Sequence, residues 1–208
     1  MEVMKATWFY GLLGLLCTIT HANAQPVKGS VKLTAMQQKQ VRSLATDIVS
    51  VGIDRDFPEG KVPNEVMVWF GVYQIALRQP RLFRAVGSNG ETKVAGGVVA
   101  EAALQAFGKA PKPQSVGDWK YRNGFYYGYS ELFEQLGLEK LKRLQISDGG
   151  AERLIVTADY VDSMATATSD TGQDVVVKTK MTLKQVTLKE QSRYVLSSFQ
   201  YLTPNPQR

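Results

Sequence analysis

The chain reads as an α+β protein in which N-terminal helices pack on a C-terminal antiparallel β-meander. Three observations predict this. Apolar residues recur at helical spacing early in the chain, two-residue alternation takes over late, and turn residues divide the last third into segments of strand length.

Thr34 is placed as a helix N-cap, with Gln37 three residues on to return a hydrogen bond. Val41, Leu44, Ile48 and Val51 follow on one helical face, and Gly52 supplies a left-handed stop. After the loop IDRDFPEGKVP, Asn64 is a candidate cap for EVMVWFGVYQIALR. Nearly every residue of that segment is apolar, so it is buried as helix or as strand; its length and cap favour helix. Pro80 stops it. Asn89-Gly90 can turn a short hairpin between 82–86 and 92–94, the alternative being one more helical turn and a loop. A helix of small residues is expected over 98–107, ended by Gly108 and Pro111.

After Ser130, ELFEQLG predicts a helix with Leu132, Phe133 and Leu136 inward and Gly137 as its stop. From Leu144 the character changes. Gly149-Gly150 marks a turn, and ERLIVTADYV is rich in β-branched and aromatic residues. In DVVVKTKMTLK, Val175, Val177, Thr179, Met181 and Leu183 share one face, while Val176, Lys178, Lys180, Thr182 and Lys184 share the other, so one face is buried and one is wet. Val186 and Leu188 continue in the opposite parity, which calls for a bulge or turn near Gln185. SRYVLSSFQYL makes a last strand. In element order alone, helices followed by a curved sheet resemble the nuclear-transport-factor-like layout of some periplasmic secretion components; no motif carries the likeness, and no membership of that family is read from it.

Residues 1–24 read as a signal peptide. Glu2 and Lys5 precede an almost uncharged run from Thr7 to Thr20, and Ala22-Asn23-Ala24 offers small residues at the two positions a signal peptidase must accept. Cleavage is expected after Ala24. The apolar run is shorter than the roughly 20 residues that span a bilayer, and the large Leu16 before Cys17 argues against lipidation. The remaining organisation is then a flexible segment over 25–33, one α+β domain over 34–203 and a tail over 204–208. Cys17 and His21 are the only cysteine and histidine, so the processed chain would hold neither. It could form no disulfide, which fits a bacterial periplasm better than a eukaryotic secretory route. The expected location is periplasmic or secreted.

The formal net charge of +6 survives processing, because one base and one acid leave together. It favours acidic neighbours. The expected partner is a protein, with an anionic envelope surface as a second candidate; export argues against nucleic acid. Without histidine or thiol, Ser–His and Cys–His catalysis and zinc sites built on those residues are excluded. No cofactor and no metal is expected. Asp-Thr-Gly in SDTGQD resembles the aspartic protease triplet, but Thr168 and Ser169 are polar where that family buries its Asp, and a hairpin turn accounts for the segment. Asp54, Asp56 and Glu59 lack calcium-loop spacing, with Arg55, Phe57 and Pro58 in the wrong places, and read as a solvated loop. Asp159 and Asp162 read as edge charges on a strand.

The one concentration above background is DWKYRNGFYYGY. Trp119 and Phe125 are expected to point inward. Tyr121, Arg122, Tyr126, Tyr127 and Tyr129 are the candidate partner-binding residues on a glycine-loosened connection, since polar-tipped rings and Arg offer large contact area while keeping a tip in water. The basic strand face of Lys178, Lys180 and Lys184 is the second candidate. The function expected is that of an exported, non-enzymatic protein that binds another protein, as an accessory part of an envelope or secretion assembly. The alternatives are a small-ligand-binding protein or enzyme using carboxylate, Tyr or Lys chemistry between helices and sheet, and an inhibitor or immunity protein.

Overall fold

The computed structural model describes residues 32–129, 133, 140–162 and 174–203. Among these described residues three helices occupy the N-terminal half, and the strands form two four-stranded antiparallel sheets, an α+β architecture. The signal segment, most of 25–33, the expected helix after Ser130 apart from Phe133, nearly all of SDTGQD, and the tail over 204–208 lie outside the described residues. No helix among the described residues is long and apolar enough to cross a membrane.

Helix α1 (Ala35–Val51) begins as its sequence dictates. Thr34 Oγ1 accepts the Gln37 N–H at 3.2 Å and Gln37 Oε1 accepts the Thr34 N–H at 3.0 Å, so two otherwise orphaned donors are satisfied at once. Gly52, at φ 66°, ends it. Val41, Ile48 and Val51 are buried and Leu44 is half-buried against the core.

The apolar segment that follows is helix α2 (Asn64–Arg78). Asn64 is not its cap. Pro63 takes that position with an extended backbone, and the Asn64 side chain is spent instead on the Lys112 backbone, accepting its N–H at 2.7 Å and donating to its carbonyl at 2.8 Å. Helix α3 (Gly96–Phe107) crosses α2 so closely that a Cβ on Gly71 would lie 2.6 Å from the Val99 carbonyl oxygen. Between them, a 3-10 turn (Pro80–Leu82) and a hairpin of β1 (Arg84–Ala85) and β2 (Glu91–Ala95) are both present, so the two alternatives for this stretch coexist.

The second sheet is the meander the alternation predicts. β5 (Lys140–Gly150), β6 (Arg153–Val161), β7 (Val176–Leu188) and β8 (Gln191–Tyr201) pair in sequence order. Leu154, Val156, Ala158 and Tyr160 of β6 and Val177, Thr179, Met181 and Leu183 of β7 are buried. One local expectation is corrected and one refined. The β5–β6 turn is at Ala151-Glu152, both at positive φ, while Gly149-Gly150 end the strand. The bulge does fall near Gln185, but on the partner strand. Register partners jump from Ser198 to Leu196 between Thr182 and Leu183, so the extra residue is Ser197 of β8.

The loop over 52–63 covers the β8 edge beside this bulge. Phe57 and Phe199 exchange backbone hydrogen bonds of 3.0 and 3.1 Å, Gly60 N–H donates to the Ser197 carbonyl at 3.0 Å, and Asp56 accepts the Tyr201 N–H at 2.9 Å. An edge that would template aggregation is thereby paired. Asp54 meanwhile pairs with Arg55, and Glu59 with Arg153 at 3.1 Å, so these carboxylates diverge to different partners.

Candidate functional site

The aromatic stretch is not a loose connection. It folds as a hairpin of β3 (Lys120–Arg122) and β4 (Phe125–Tyr129) turned by Asn123-Gly124, both at positive φ, the combination a tight two-residue turn needs. β4 then pairs with β2, giving a first sheet of order β1-β2-β4-β3.

Pleating decides which rings face out. The register pairs Lys93 with Tyr127, Ala95 with Phe125, and Lys120 with Tyr127, which puts Lys93, Lys120, Arg122, Phe125, Tyr127 and Tyr129 on the outer face. Val94, Tyr121, Tyr126 and Gly128 take the other, against the helices. Trp119 is buried, in line with expectation, and its ring lies flat over Gly128, where a Cβ would meet it at 2.7 Å. It also stacks on Phe133 at 5.6 Å between ring centres, the one described residue of its segment.

Three assignments are corrected, and one is Tyr121, which is on the inner face and half-buried against the core rather than in the partner-binding array. Tyr126 is 2% exposed and belongs to the core, with Tyr121 tilted against it at 4.8 Å; burial pushes the Tyr126 hydroxyl pKa up. Phe125 is on the outer face. Strand parity outranks the preference of a hydroxyl for water, because a one-residue slip would turn every side chain of β4 over.

The outer face is an interleaved array of cations and rings. The Arg122 guanidinium stands 4.0 Å from the Tyr127 ring centre, and its Nη2 also reaches Glu91 Oε1 at 3.1 Å. Lys93 Nζ lies 5.1 Å from the Phe125 ring and 5.9 Å from that of Tyr127. Tyr129 remains 47% exposed beside them. Glu91, Asp118, Lys120, Arg122, Tyr127 and Tyr129 line a shallow depression of about 520 Å³. These contacts fix long side chains before any partner arrives, which lowers the entropy lost on binding. The donors suit carboxylates; the array contains neither a thiol nor an imidazole to act as nucleophile or base.

Lys178, Lys180 and Lys184 stand exposed on the outer face of β7, as the alternation requires. They are on the second sheet, so the two candidate groups belong to different surfaces. Asp159 is opposite Lys178 in the register, and Asp162 is buried at the end of β6, its N–H donating to the Val175 carbonyl at 3.0 Å. Among the described residues, no group of three or more His, Cys, Asp or Glu is gathered for a metal.

One feature is unannounced by any motif. A cleft of about 440 Å³ opens between α1, α3 and β8, with Leu44, Phe70 and Ala106 among its walls. Asp47, 7% exposed, lines it and accepts from Arg78 Nε at 2.9 Å, with Gln74 at 3.4 Å. Asp47 stands next to the apolar stripe of α1, but its partner is 31 residues away, so sequence spacing could not pair them.

No protein-family model, curated protein or solved structure matches the chain. The likeness to nuclear-transport-factor-like layouts stays one of element order.

Proposed function

We propose that the chain is an exported, non-enzymatic protein that binds another protein, an accessory component of an envelope assembly, through the outer face of the first sheet. The observation that carries this reading is the array in which Arg122 and Lys93 are held against Tyr127 and Phe125 while Tyr129 stays exposed. Arg and Tyr held in one geometry are what binding hot spots use, and the cations favour an acidic segment on the partner. Export rests on the leader-like residues 1–24 and on the thiol-free remainder. The test is partner capture from envelope extracts by variants of Arg122 and Tyr127, with melting measured on each.

A second reading is favoured by the cleft at Asp47. Leu44, Phe70 and Ala106 set among the polar side chains of Gln40, Gln74 and Gln105, with Asp47 held by Arg78, fit a small amphipathic ligand with hydrogen-bonding groups. A small molecule retained by the purified protein and lost with Leu44→Trp, while capture of a protein partner fails, would select it.

A further inference from the structure

We propose that the outer face of the second sheet is a docking surface for anionic lipid bilayers, distinct from the protein-binding face of the first sheet and independent of it. The register sets Arg143, Asp159 and Lys178 across three neighbouring strands, then Gln145, Thr157, Lys180 and Gln200 across four, and farther along Arg153 opposite Lys184. Within these rows five cations face one carboxylate, Asp159. Arg153 is paired with Glu59 at 3.1 Å, and at the rim Lys142 is paired with Asp174 at 3.2 Å. Along β7 the cations Lys178 and Lys180 repeat every second residue, a spacing of about 7 Å that holds both ammonium groups toward one plane.

Charge alone would make this a solvated surface. A second observation points to a bilayer. Of the four large apolar side chains left exposed among the described residues, two stand at this end of the sheet: Val176 at 43% and Leu202 at 49%. Leu202 N–H donates to the Lys178 carbonyl at 2.8 Å, which places it directly across from Lys178, and Val176 shares the face of Lys178 two residues earlier. Apolar tips beside a lysine row combine insertion below the headgroups with attraction to their phosphates.

The experiment is co-sedimentation of the protein, purified in its exported form, with vesicles of phosphatidylcholine alone or of phosphatidylcholine and phosphatidylglycerol in equal parts. Binding is expected to the mixed vesicles and not to the neutral ones, and it should weaken as salt is raised. Lys178→Ala and Lys180→Ala should each lower partitioning about fivefold. Leu202→Ser should lower it at every salt concentration while the lysine variants lose their effect at high salt. All are exposed positions, and their melting should match that of the parent. Equal sedimentation with both vesicle types, no change in the Lys178→Ala, Lys180→Ala double variant, or loss of binding only on substitution of Lys93 or Arg122 would overturn the proposal.

Discussion

The Arg122 guanidinium lies 4.0 Å from the centre of the Tyr127 ring and 3.1 Å, Nη2 to Oε1, from Glu91, three strands joined through one exposed side chain. On the far side of the same hairpin, Tyr126 and Trp119 are almost wholly buried. The two faces therefore answer differently to substitution.

Tyr126→Ala removes a buried ring and should cost about 3–5 kcal/mol by analogy with other large-to-small aromatic changes. Gly128→Ala should cost about 1–3 kcal/mol, because its Cβ would meet the Trp119 ring at 2.7 Å, well inside contact distance. Denaturant titration of both variants measures this; a Gly128→Ala protein as stable as the parent would show that Trp119 does not seal the sheet.

The legible part of this fold was the part with local causes. The Thr34–Gln37 capping box and the alternation from Val175 to Leu183 each involve residues close in sequence, and both hold. Of the first sheet only the β1–β2 hairpin at Asn89-Gly90 was legible; its pairing with β4 was not, because β2 and β4 are five residues each and meet across some thirty positions. Without that pairing, nothing in FYYGY says whether Phe125 or Tyr126 faces water. The same lack hid Lys93, whose place in the array exists only through its register with Tyr127.

In the second sheet, Leu183 is fully buried and Lys184 is exposed. Leu183→Asp should be severely destabilising through an unpaired buried charge, whereas Lys184→Glu should cost less than about 0.5 kcal/mol. Equal shifts in melting temperature would mean the faces are reversed.

Alkaline pH should destabilise the protein. Burial raises the pKa of Tyr73, Tyr126 and Tyr194 above the ordinary value of 10.0. A folded pKa above the unfolded one contributes stability that is fully present below pH 10 and is lost as pH rises through the folded value. Tyrosinate absorbance should therefore rise in two stages, exposed rings first and these three at higher pH. A single early stage in the folded protein would contradict their burial.

Processing should leave Gln25 as the first residue of the exported protein, since Ala22 and Ala24 are small enough for the peptidase. N-terminal sequencing that returned Met1 would remove the basis for an envelope role.

Partner capture by the Arg122→Ala and Tyr127→Ala variants, with each variant's melting measured alongside, tests the proposed binding face most directly. Both side chains are on the outer face, so their removal should weaken capture from an envelope extract by more than about 1 kcal/mol while the melting temperature falls only slightly. Undiminished capture of a partner by both variants, at unchanged stability, would contradict the account.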